Sequence, residues 1–273
     1  MMIKIEDVKD FDLTHIFECG QCFRWVPDGS GSYIGAAGSF SARVSTEGGL
    51  LIIDASGGDE SFWRHYFDLE TDYGAIKRKL YGAEPRIKAA TEYGNGIRIL
   101  NQDLFETLIS FIISQNNNIP RIRKNIESLC GVYGEPIEGS TRRAFPSPEA
   151  LAEADEKDLA ALKLGYRSSY IKASAQRFLT EGDPAAREEL LAYHGVGPKV
   201  ADCIMLFGLR DTAAFPVDTW VRQIMNDMYG FDINDKKGMQ AFASEKFGDF
   251  AGYAQQYLFY YYRDGKKMSN YSH

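Results

Sequence analysis

Lys199 and Asp218 are the two residues of this chain whose types and settings could do chemistry together. Lys199 stands just past a Gly-Val-Gly turn in HGVGPKVADC (194–203), and Asp218 ends a Pro-Val-Asp segment (216–218). A Gly-x-Gly turn that opens a helix presents free backbone N–H groups and the positive end of the helix dipole, which is a seat for a phosphate. Gly195, Gly197 and Val200 would supply that seat. A lysine at the start of the same helix lies near its positive end, so its ammonium form is disfavoured. Its pKa is expected to fall toward a usable amine nucleophile. Cys203 and Phe207 follow at helical spacing on the same face, which points the amine into an apolar pocket and desolvates it further. Asp218 precedes the apolar-periodic TWVRQIMNDMYG and reads as a helix N-cap, where a fixed carboxylate can also support positive charge. Together these residues suit an enzyme that holds a nucleic-acid backbone and attacks a sugar carbon with an amine. Taken alone, Gly-x-Gly is more often an ordinary C-cap glycine followed by a turn.

These residues need a scaffold. Between residues 20 and 54, SYIGAA, FSARVS and LLIIDA are separated by DGSGS and TEGG, which reads as an antiparallel meander with glycine turns. From about residue 60 the spacing becomes helical: SFWRHYFDLETDYGAIKRKLY, then LFETLISFIISQNNNIPRIRKNIESLCGVYG from 104. PSPEALAEADEKDLAALKL has a helix-start opening, and helical segments continue to AGYAQQYLFYYYRDG. The expected fold class is α+β, mainly α. A small N-terminal antiparallel sheet with flanking helices (1–95) joins a helical body (96–273) that carries the helix–hairpin–helix at 190–203. Neither an internal repeat nor a low-complexity linker is visible.

Composition sets bounds. The chain has 273 residues, 44% of them hydrophobic and 25% charged, with a net charge of −7. No apolar run reaches the roughly 18 residues that a membrane helix needs, and the start, MMIKIEDVKD, lacks the apolar core of a signal peptide. Four cysteines in a chain of this length do not suggest a disulfide scaffold, so a reducing cytoplasm fits best. The acidic balance argues mildly against a protein that coats nucleic acid. It leaves room for a local basic groove built from RIRK (121–124), Arg142, Arg143, Arg167 and Lys172.

Several long segments carry a resemblance. HGVGPKVADC with PVD at its spacing, GQCFRW (20–25), NNNIPRIRKNIESLC (116–130), LGYRSSY (164–170) and AGYAQQYLF (251–259) resemble, in order, the 8-oxoguanine DNA glycosylases of the helix–hairpin–helix (HhH-GPD) superfamily. The resemblance implies a glycosylase and AP lyase of base excision repair, acting as a monomer on double-stranded DNA that contains 8-oxoguanine, without cofactor or metal. By resemblance, Lys199 attacks C1′ and expels the base, the Schiff base allows β-elimination of the 3′ phosphate, and Asp218 stabilises the oxocarbenium-like sugar. Such an enzyme extrudes its target base and needs a pocket, a wedge and a reader of the abandoned partner. The resemblance implies that Phe259 stacks on the flipped base, Gln255 bonds its Watson–Crick edge, and Cys203 and Phe207 line the opposite wall. Gly20 would offer its carbonyl to the N7 proton that distinguishes 8-oxoguanine from guanine. Asn116 would fill the vacated space, Arg121 and Arg167 would meet the estranged cytosine, and Tyr166 would wedge beside it. A preference for cytosine as the partner base is accordingly expected.

Two departures stand out. Trp220 occupies the position where the family often has histidine, so a phosphate contact there does not carry over. Cys19 and Cys22 form a C-x-x-C whose second position is more usually serine; no second pair completes a zinc site, and a chance pair is the better reading. Two other functions stay open on sequence. A glycosylase for alkylated purines would work through the aspartate and leave Lys199 without a task. A non-catalytic DNA-binding module would bind without turnover.

Overall fold

The structure, a computed structural model, describes residues 1–270, with side chains through Asp264. A five-stranded antiparallel sheet runs in the order β1-β5-β4-β3-β2, formed by β1 (Met2–Ile5), β2 (Val26–Pro27), β3 (Tyr33–Ala37), β4 (Phe40–Glu47) and β5 (Leu50–Ala55). The three segments read as a meander are β3, β4 and β5. Strand β1 was not foreseen: MIKI is too short for a period to show, and it becomes a strand only through its ladder with β5, from Met2 opposite Asp54 to Ile5 opposite Leu51. Ala42, Val44, Leu51 and Ile53 face one side of the sheet. There they bury Ile16 and Phe17 of helix α1 (Leu13–Glu18), Trp25, and Trp63 of α2 (Glu60–Tyr66).

The body consists of α3 (Tyr73–Ala83), α4 (Lys88–Tyr93), α5 (Leu104–Ser114), α6 (Ile119–Tyr133), α7 (Pro148–Glu153), α8 (Glu156–Ala161), α9 (Arg167–Glu181), α10 (Arg187–Leu191), α11 (Pro198–Phe207), α12 (Thr219–Tyr229), α13 (Lys236–Phe247) and α14 (Ala251–Asn270). Short polar residues mark most of the starts. Asp72, Asp103, Asn118, Ser147, Asp155, Asp218 and Asp235 each accept a first-turn amide, worth about 1 kcal/mol apiece. The long helical pattern from 104 breaks where the asparagine run begins. Gln115 ends α5, Asn116 takes φ +47°, and Asn118 caps α6.

Packing separates two hydrophobic cores, one under the sheet and one among the helices. Tyr73, Ile76, Leu80, Ile87 and Ala90 belong to the helical core because α3 and α4 lie against α13 and α14. Helices α3 and α4, within residues 1–95, therefore pack with the body. The segment GQCFRW is the seam between the cores. Cys19 and Phe23 enter the helical core, whereas Cys22 and Trp25 enter the sheet core. The two thiols of the C-x-x-C thus diverge, and all four cysteines are free. Among the described residues no cluster of His, Cys, Asp and Glu is placed to hold a metal ion, and no helix is long and apolar enough to cross a membrane.

Candidate active site

Helices α10 and α11 are the arms of the hairpin. Gly195 holds φ +83°, and a Cβ there would sit 2.2 Å from the Tyr170 ring, so the turn closes over Tyr170 only because the residue is glycine. Gly197 caps α11 without a side-chain acceptor and Pro198 has no N–H. The first-turn amides of Lys199 and Val200 therefore lack a helical partner and suit an outside acceptor. The Val200 side chain itself is buried.

The inward face of α11 forms one wall of a cleft with about 330 Å³ of empty space, counting its open mouth. Lys199, Cys203 and Phe207 all line it, as their spacing predicted. The Phe207 ring stacks on Phe111 of α5 at 5.5 Å and 10°, and Lys199 Nζ lies 5.4 Å from the centre of the Phe111 ring. Asp218 lines the same cleft from the start of α12. Its Oδ1 accepts the Val221 amide at 2.8 Å, so the carboxylate is held by the cap it forms.

The charges do not behave as sequence alone suggested. Burial pulls the Lys199 ammonium toward neutrality, but Cys203 and the Asp218 carboxylate beside it outweigh burial, and its pKa is raised above the ordinary lysine value. The expected fall is therefore corrected. Burial is the opposing influence, and the groups that overcome it are Cys203 first and then Asp218. Burial raises Asp218 above the usual carboxylate range, opposed by the Val221 amide and by Lys199. Burial likewise pushes the Cys203 thiol up to about 11, so near neutrality it is a neutral partner for the amine.

Gly20, on the seam, closes the cleft with Gln255 and Phe259 of α14. Its φ is +83°, and a Cβ would meet Phe259 Cε1 at 3.4 Å. The turn that carries it is tied down from several directions. Gln21 Nε2 donates to the carbonyls of Ile16 (2.9 Å) and Arg98 (2.7 Å), and its Oε1 accepts the Leu100 amide at 2.9 Å. Arg123 of α6 donates to Glu18 Oε1 at 2.9 Å, and Arg263 of α14 donates to the Glu18 carbonyl while packing over Phe259. The turn that carries Gly20 is thus held by hydrogen bonds from several elements.

The remaining predicted residues form a second cluster where α5, α6 and α9 meet. Asn116 donates through Nδ2 to the Tyr166 hydroxyl at 3.2 Å; Tyr166 is 48% exposed and Arg121 is also exposed. Arg167 differs from its neighbours. It is buried, stacks over Tyr166, and donates to the carbonyls of Gln115, Asn116 and Leu164. In this structure it braces the asparagine turn. Trp220 is exposed beside Asp218.

Phe111, Pro216, Cys19 and Gln256 also line the cleft and were not foreseen. The first sits in a mostly apolar helix, where nothing local marks the residue that meets the cleft. Arg263 was discoverable, since it follows Phe259 by one helical turn.

The 8-oxoguanine DNA glycosylase N-terminal domain model matches residues 3–108, and the HhH-GPD superfamily base excision DNA repair model matches residues 109–248. The N-glycosylase/DNA lyase of Saccharomyces cerevisiae is 30% identical over 310 aligned residues, covering 90% of this chain and 82% of the yeast protein. A probable N-glycosylase/DNA lyase of Methanothermobacter thermautotrophicus is 35% identical, covering 71% and 70%. The Clostridium acetobutylicum 8-oxoguanine glycosylase/lyase, solved in complex with double-stranded DNA containing cytosine opposite 8-oxoguanine, superposes with a TM-score of 0.89. It is 40% identical, and the match covers 97% of this chain and 98% of that one. A lysine and a carboxylate lining one cleft beside a helix–hairpin–helix, with both halves of the chain matched by the family models and the yeast relative, place this protein in the 8-oxoguanine DNA glycosylase/AP lyase family of the HhH-GPD superfamily.

Proposed function

We propose that this DNA glycosylase/lyase excises 8-oxoguanine from duplex DNA through a Schiff base on Lys199, followed by β-elimination, and that it prefers cytosine opposite the lesion. The observation that carries the reading is the convergence of Lys199, Asp218, Gly20, Gln255 and Phe259 on one cleft. The enzyme acts as a monomer, and its free thiols fit a cytoplasmic setting.

In the first step Nζ forms a bond to C1′ as the bond from C1′ to the base nitrogen breaks. The ammonium proton must leave before attack, and the departing base gains one proton, so the count balances. Asp218 faces the positive charge that develops on the sugar ring. The ring then opens to a Schiff base, a proton leaves C2′, and the 3′ phosphate departs. The amides of Lys199 and Val200 and the turn at Gly195–Gly197 hold a backbone phosphate near the site.

The flipped base stacks on Phe259, with Cys203 and Phe207 on the facing wall and Gln255 at its Watson–Crick edge. Gly20 offers its carbonyl to N7–H of the lesion, whereas guanine presents a lone pair there and is repelled. Gly20→Val forces a β-branched residue into φ +83°, a strain of about 1–3 kcal/mol, and crowds Phe259. The expected result is a loss of at least about tenfold in 8-oxoguanine excision, with cleavage at preformed abasic sites falling less. Equal losses on both substrates would reduce Gly20 to a structural glycine.

Asn116 and Tyr166 occupy the gap in the duplex, Arg121 reaches the acceptors of the estranged cytosine, and Arg167 holds the turn that presents them. The test is to incubate the protein with duplexes carrying 8-oxoguanine opposite each of the four bases and then to trap with borohydride. Cleavage at the lesion, strongest opposite cytosine, is expected. No reaction with any duplex would favour binding without turnover.

A further inference from the structure

The two glutamines of AGYAQQYLF differ in their tasks, and the second has none assigned. Gln255 and Gln256 are both buried, and both line the cleft. Gln256 Nε2 donates to Gln255 Oε1 at 2.8 Å. Gln256 Oε1 is buried without a partner. An amide half satisfied at this depth is costly, and an apolar side chain would fill the same place at lower cost. The bond to Gln255 is the one polar interaction that the buried amide makes among the described residues.

That bond couples the orientation of Gln255 to that of Gln256. A glutamine amide is ambidextrous: one edge offers a donor beside an acceptor, and a half-turn exchanges them. In one orientation Nε2 donates to the 6-oxo group of a guanine-type base while Oε1 accepts from N1–H. Turned over, the same amide accepts from a 6-amino group and donates to N1, which suits an adenine-type base. With Oε1 held by Gln256 Nε2, a half-turn of Gln255 alone would set two NH2 groups against each other. In this arrangement Gln255 keeps Nε2 on the side away from Gln256, and its orientation is coupled to that of Gln256.

We propose that Gln256 is a specificity-determining positioning residue. It clamps the Gln255 amide in the orientation that accepts 6-oxo purines and rejects 6-amino purines. This inference rests on the proposed excision of 8-oxoguanine and extends it, because Gly20 tests the N7 and C8 side of the base and cannot tell an oxidised guanine from an oxidised adenine.

The test compares single-turnover excision of 8-oxoguanine and of 8-oxoadenine, each opposite cytosine, by the unmodified protein, Q256M and Q256A. Methionine nearly matches the length of glutamine but cannot donate; alanine removes the side chain should methionine fail to fold. The unmodified protein should favour 8-oxoguanine, and both variants should lose about tenfold of that preference, partly through a gain on 8-oxoadenine. A merely structural role would slow both substrates alike. An unchanged ratio in folded Q256M and Q256A overturns the inference while leaving 8-oxoguanine excision intact. Failure of the unmodified protein to excise 8-oxoguanine overturns the function on which it rests.

Discussion

Lys199→Gln yields no borohydride-trapped adduct and loses both base excision and strand cleavage, by at least about 10³-fold. Glutamine preserves most of the length and polarity at the mouth of the cleft, so the hairpin and its phosphate seat remain. Only the amine is removed. Because the adduct requires a nitrogen that can bond C1′, an adduct surviving in this variant would move the nucleophile elsewhere. The pH dependence of the unmodified enzyme follows from the same geometry. Lys199 is held above the ordinary lysine range, against the pull of burial, by Cys203 and Asp218. The attacking form is the deprotonated amine, so adduct formation should rise as pH climbs from neutrality toward that range. A rate that falls over the same interval would rule out proton loss from Lys199 as the limiting requirement.

Asp218→Asn separates the two tasks of that residue. Asparagine caps helices about as well as aspartate, so the bond from the Val221 amide persists and the melting temperature should change little. The charge that faces the developing cation is lost, and excision should fall by about 10²- to 10³-fold, the scale of removing one preorganised electrostatic group. A second signature accompanies the loss. Asp218 is one of the groups that raise the Lys199 pKa, so the residual activity should reach its rising limb at lower pH than in the unmodified enzyme. Circular dichroism and single-turnover rates across pH measure both effects. Unchanged activity in Asp218→Asn would leave the aspartate as a cap alone.

Much of this site was legible one segment at a time. The register of Lys199, Cys203 and Phe207 followed from helical spacing, as did that of Gln255 and Phe259, because both sets lie within single helices. Helix starts were legible where a short polar residue preceded an apolar period, as at Asp218. The strand Met2–Ile5 was not, since it is defined by hydrogen bonds to residues some fifty positions away. Phe111 was invisible for a different reason. Most of the residues of α5 are buried apolar ones, and nothing local marks the one that meets the cleft.

The sequence by itself determined the pieces: a glycine hairpin able to seat a phosphate, a lysine on the inward face of its second helix, a capping aspartate, and motifs that name a family. These depend on residues close together in the chain, where backbone geometry sets the spacing. Only the tertiary structure decided how the pieces act on one another. It set the Lys199 pKa upward instead of downward, because Cys203 and Asp218, brought together in the cleft, outweigh burial. It fixed Gly20 beside Phe259 through arginines on α6 and α14. It also turned Arg167 into a strut and Gln256 into a partner for Gln255. Electrostatic and hydrogen-bonding effects act through space, and the distances that govern them exist only once the chain has folded.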